Sequence, residues 1–199
     1  LVEQILLDGW KRIATRSIQN NVIYIQGDLC WIKAGTGGHS SWKDLEMTNE
    51  EAHNIFAREA HKKTWQLLEA SDRTPEQEAE MIGAAHTSAY HWSIVGTGLN
   101  HQRAEWLLAR VYSMLGMGER AVFHATRCRD LTELHHDLME DFDLAFALEG
   151  LARAYAAAGD PSQASSLKQQ AEAAGQKISD AEDRNYFLLD LASGNWFGL

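Results

Sequence analysis

Cysteine and proline are both scarce, two of each in 199 residues. Cys30 and Cys128 form no CxxC pair and no framework of bridges. This excludes a small disulfide-stapled scaffold and fits a reducing, cytoplasmic setting. No apolar run approaches the ~20 residues that a membrane-spanning helix needs, and no basic segment leads into an apolar one as a secretion signal requires. Positive charge is in short supply as well: 18 Lys and Arg stand against 28 Asp and Glu, a net charge of −10. So acidic a surface repels phosphate backbones, and nucleic acid is not an expected partner. The phosphate-binding patterns GxxxxGK[ST] and GxGxxG and the nucleophile elbow GxSxG are also missing. What remains is ample apolar material, 45% of the chain, enough to bury a core.

The charge is unevenly placed. Residues 1–46 balance Lys11, Arg12, Arg16, Lys33 and Lys43 against Glu3, Asp8, Asp28, Asp44 and Glu46, so the whole net charge falls in residues 47–199. Texture changes at the same point. Val2, Ile5, Leu6, Trp10 and Ile13 form a short helical stripe. Val22–Gln26 and Leu29–Lys33 flank Gly27-Asp28 as a two-residue β-hairpin would, and Ala34–Ser41 reads as a linker. The chain opens on Leu, and Lys43-Asp44 can be encoded by a purine-rich ribosome-binding sequence just ahead of Met47. Residues 1–46 are therefore expected to be either an appendage packing on the helical body or a spurious extension. Residues 47–199 are the helical-hairpin domain.

Helix starts are legible from there on. Thr48-Asn-Glu-Glu51 and Thr74-Pro-Glu-Gln77 are capping boxes, the second with Pro at the first helical position, and Asp160-Pro-Ser-Gln163 has the same arrangement. Ser179-Asp-Ala-Glu182 opens a last short helix. Gly96/Gly98, Gly116/Gly118 and Gly159 supply stops. The expected helices span 49–71, 75–93, 101–115, 119–137, 142–158 and 161–177. Short loops make consecutive helices antiparallel hairpins, and the fold class is all-α.

Leu108-Ala-Arg-Val-Tyr-Ser-Met-Leu-Gly116, with Ala121 beyond, aligns with Leu151-Ala-Arg-Ala-Tyr-Ala-Ala-Ala-Gly159, with Ala164 beyond. The small residues let helices approach, the tyrosines fill the space between them and the glycines turn the chain. This pattern resembles the tetratricopeptide repeat, whose usual period is about 34 residues. Here the second helices are longer and no proline follows residues 119–137. The chain is also similar to small bacterial helical proteins. The tetratricopeptide resemblance implies a concave groove lined by the first helix of each hairpin, hence by Arg103, Trp106, Arg110, Ser113 and Met114, and by Phe146, Glu149, Arg153, Ala156 and Ala157. Arg110 and Arg153 hold the same repeat position, and two guanidinium groups side by side suit a carboxylate or phosphorylated side chain, with Trp106 as anchor. The expected role is a non-enzymatic module that binds a peptide or protein partner and needs no cofactor. The same residues have an internal use, in ion pairs from Arg110 or Arg153 to Glu149 with Trp106 in the core.

The nine histidines support a competing reading, an enzyme that binds a divalent metal or a small molecule. Alternating helix directions bring Glu50, His53, His91, Glu105, Glu133 and His136 to one end of the bundle. Glu50-Glu-Ala-His53 and Glu133-Leu-His-His136 are both Glu-x-x-His, the spacing with which ferritin-like bundles hold paired metal ions. Glutamates in a first helical turn and histidines in a last one also answer the helix dipole. His86 and Tyr90, with His91 and Trp92, outline a small-molecule pocket or a mixed packing layer. Cys128, which corresponds to Ala171 in the repeat, reads as a core residue. The acidic run Asp137–Asp143 reads as a solvated connection, and Asn195–Leu199 as a tail docked on helix 161–177.

Overall fold

A computed structural model describes residues 47–199 of the chain. The short helix and hairpin expected within residues 1–46 lie outside the described residues. The chain divides into two units, Leu1–Met47 and Thr48–Leu199, and the second holds every described helix.

Capping chemistry starts the helices where the side chains allow it. Thr48 accepts from the Glu51 amide, and Glu51 accepts in return from the Thr48 amide at 2.8 Å, opening α1 (Asn49–Glu69). Thr74 and Gln77 exchange the same pair of bonds ahead of α2 (Pro75–Val95), with Pro75 where no backbone donor is needed. α3 (Gly98–Met114) begins earlier than Gly96 and Gly98 imply as stops, because the Asn100 side chain accepts from the Thr97 amide and hydroxyl. α4 (Gly118–Leu134) ends earlier than expected, giving way to a 3-10 turn over His136–Leu138. α5 (Asp143–Ala157) and α6 (Pro161–Gly175) follow. α7 (Ala181–Ala192) is capped by Asp180, one residue later than the sequence pattern places it; its carboxylate accepts from the Glu182 and Asp183 amides at 2.8 and 3.0 Å.

The fold is all-α, with no strand among the described residues. Helices pack chiefly on their neighbours in pairs, α1 with α2, α3 with α4 and α5 with α6, and α3 also lies against α5. No described helix is long and apolar enough to cross a membrane. Positions 43 residues apart fall at matching places in the second and third pairs. Gly116 and Gly159 both take left-handed φ values, 68° and 79°. In each turn the amide three residues past the helix end bonds back to a tyrosine carbonyl at 2.9 Å, Met117 to Tyr112 and Asp160 to Tyr155. Ala109, Ala152, Ala121 and Ala164 are fully buried where helices touch, as are Cys128 and Ala171. Cys128 is a core residue, and burial pushes its thiol up, with Asp143 and Glu105 adding to the shift.

The close approach of α4 to the end of α5 aligns these pairs. A Cβ at Gly118 would lie 2.3 Å from the Ala158 Cα, whereas one at Gly83, in α2, meets nothing within 4 Å. Gly118→Ala is expected to cost roughly 2 kcal/mol or more, since backbone must shift. Gly83→Ala should instead stabilise by about 0.5–1 kcal/mol. Urea titration of both variants checks the contrast.

Candidate functional site

Arg103, Trp106, Arg110 and Ser113 recur along α3 at helical spacing and face α5, which presents Phe146, Glu149 and Arg153. The arginines need partners once buried, and two carboxylates supply them. Glu149, 0% exposed, accepts through one oxygen from Arg110 Nη1 at 3.1 Å and from Arg153 Nε. Asp190, on α7, takes Arg110 in a two-pronged contact with both N–H···O distances 2.8 Å. Arg153 also donates to the backbone carbonyls of Asp190 at 2.8 Å and Ser193 at 3.1 Å, while its guanidinium lies 4.2 Å from the Trp196 ring. Two guanidinium groups and two carboxylates thus form one neutral cluster between α3, α5 and α7.

Burial works against charge on Arg110, but Glu149 and Asp190 more than offset it and its pKa rises. Burial likewise raises the Asp190 carboxyl, and Arg110 outweighs it, leaving the pKa lowered. Tyr186, on the same helix, is pushed up by burial and by Asp190. These effects keep Arg110 and Asp190 charged at neutral pH with the phenol neutral.

An aromatic floor supports the charges. Trp106 is buried, donates its indole N–H to the Phe146 carbonyl at 3.1 Å and lies beneath Arg110, 5.6 Å from its guanidinium carbon. Phe187 of α7 meets Phe146 edge to face at 4.9 Å and covers Gly175, where a Cβ would come 2.2 Å from the ring. Trp196 is pinned by its own bond to the Leu191 carbonyl and by Lys168 of α6, 4.0 Å away. Met114 is largely exposed, at the outer end of α3.

Arg103 lies outside this cluster, at the start of α5. It forms a buried two-pronged pair with Asp143, both contacts 3.0 Å. Asp143 is therefore not part of a solvated connection; its second oxygen also accepts the Glu140 amide at 2.9 Å. Arg103 stacks on Phe142 and contributes, after burial, to lowering His61 to about 4. Neutral His61 accepts the Trp65 indole N–H at 3.0 Å.

The histidine-rich end is divided among separate contacts. His53 and His91 meet, Nδ1 to Nδ1 at 2.7 Å. Glu105 is engaged by His124 at 2.7 Å and Arg127 at 2.8 Å, Glu133 faces Arg129 at 3.9 Å, and His136 lies in the 3-10 turn. The Glu50 carbonyl accepts the Asn54 amide group. His86 pairs with the Tyr112 hydroxyl at 2.8 Å, and Tyr112 stacks on His124. Among the described residues, no group of three or more His, Cys, Asp or Glu side chains is arranged to hold a metal ion.

Asp190, Phe187 and Trp196 are the site residues that sequence reasoning missed. Asp190 lies 80 positions from Arg110, and only the spacing Phe187-x-x-Asp190 on a capped helix hints at a functional face. The chain matches no protein-family model, and no curated protein or solved structure is significantly similar to it.

The depressed His61 pKa has a defined consequence. The unfolded histidine titrates near 6.5 and the folded one near 4, so folding is unpenalised above about pH 6.5 and loses stability progressively as pH falls toward 4. Between pH 7 and 5 His61 should account for about 2 kcal/mol of the stability lost, so the loss should be smaller by about that amount in His61→Gln. Urea unfolding of both proteins at the two pH values checks this; equal losses would contradict it.

Proposed function

We propose that this protein is a cytoplasmic, non-enzymatic module of the tetratricopeptide-like kind, which recognises a peptide or protein segment in the groove lined by α3 and α5. The observation that carries the reading is the grip of Arg110 and Arg153 on Asp190. The groove is built to hold a carboxylate against an aromatic floor, and a guanidinium fork recognises that geometry through two parallel bonds. Arg110, Arg153, Glu149 and Trp106 form the recognition centre. Met114 lies at its exposed end, and Arg103 braces α3 against α5 through Asp143. Matching turns and matching buried alanines in successive helix pairs support the repeat character. The net charge of −10 favours a protein over a nucleic acid as partner.

The test is a titration of the full chain, isotope-labelled, with amphipathic helical peptides in two series, one carrying Asp or Glu and one carrying Lys at the same positions. The acidic series should move the Trp106 indole signal and the Arg110 and Arg153 Nε–H signals, with affinity falling about tenfold or more from low to high salt. The Lys series should leave them in place. Equal effects from both series, or none from either, would overturn the reading.

A further inference from the structure

The groove already holds a helix, and its chemistry defines what else it accepts. α7 presents Phe187 to Phe146 and Gly175, Asp190 to Arg110, and its last carbonyls to Arg153. Resting on the proposed groove function, we infer that the partner is an amphipathic helix carrying an aromatic residue and, three positions later, a carboxylate, and that it binds by replacing the chain's own α7.

Electrostatics sets the selection. With α7 lifted away, Arg110 and Arg153 face Glu149 alone, and one positive charge is left over in a site lined by Trp106 and Phe146. A buried charge without a partner is strongly disfavoured, so an occupant must bring a carboxylate, and a neutral or basic helix is rejected. Direction is set too. Arg153 takes the carbonyls of Asp190 and Ser193 at the C-terminal end of α7, where the helix dipole is negative. An incoming helix therefore ends at Arg153. One oxygen of Glu149 and the Ser113 hydroxyl are buried without a hydrogen-bond partner among the described residues.

Topology permits the exchange. Among the described residues α7 is not half of a hairpin pair, whereas α1 to α6 pack on one another as three pairs. Only residues 176–180 join it to α6. Leu189, 62% exposed, marks the outward face of α7 and takes no part in seating it.

The probe is a fluorescent peptide of residues 179–199, added to the full wild-type chain and to full-length Phe187→Ala, whose own α7 is loosened while Asp190 is kept. The peptide should bind Phe187→Ala at least tenfold more tightly than the wild type. Peptides carrying Asp190→Asn or Phe187→Ala should bind at least tenfold more weakly than the parent. Equal binding to both chains, or undiminished binding of the Asp190→Asn peptide, would overturn the inference. Should Phe187→Ala fail to fold, a nitroxide at Leu189→Cys in a Cys30→Ser chain reports on α7 directly. Excess unlabelled peptide should make that label mobile, and an unchanged label would overturn the replacement. A peptide that shifts the Trp106 indole while the label stays immobile removes replacement but keeps the groove. No shift from any acidic helix removes both.

Discussion

A guanidinium group cannot be taken out of water alone, and the architecture around α3, α5 and α7 is organised by that constraint. Arg110 and Arg153 come from helices that pack against each other, so their charges are forced into one space. Glu149 reaches both but neutralises only one. Asp190 supplies the second negative charge, and to do so α7 must lie beside Arg110. Phe187 seats α7 on Phe146 and Gly175, and Asp190 fixes it over the arginines. Burial makes the arrangement more demanding, because an unpaired charge there is destabilising by several kcal/mol while a paired one is close to neutral.

The scaffold delivers this through modest means. Buried alanines at Ala109, Ala152, Ala121 and Ala164 bring backbones close enough for α3 and α5 to face the same way. Left-handed glycines at 116 and 159 turn the chain identically in both pairs. The floor of Trp106, Phe146 and Phe187 excludes water, which strengthens each ion pair that it supports. Asp143 repeats the solution on a smaller scale, securing Arg103 at the opposite end of the same interface.

Much of the fold was legible because its signals are local. Threonine caps at 48 and 74, proline at 75 and 161, and glycine at 116 and 159 act within one helical turn of the residues they govern. Errors arose where a longer-range contact overrode a local cue: Gly98 continues into α3 and packs against the His135 ring instead of stopping a helix. The site was half legible. Spacing along α3 and the 43-residue offset placed Arg110 beside Arg153, and Glu149 within reach of both. Asp190 was hidden because no periodicity links residue 190 to residue 110, and Asp143 because an acidic run looks solvated until an arginine 40 positions away is known to face it. The histidines illustrate the converse. Sequence brought several to one end of the bundle, but each helix interface took its own, as with His53 and His91 or His124 and Glu105.

The seating of α7 turns on one contact, the carboxylate of Asp190 in the fork of Arg110. Amide hydrogen exchange in wild type and Asp190→Asn examines it most directly, since the substitution keeps the shape and removes the charge. Protection should be lost selectively over residues 181–192 and the tail, while α1 to α6 exchange as in the wild type. Unchanged protection of α7 would contradict this, because α7 would then be held by apolar packing alone and the arginine pair would have no claim on its occupant.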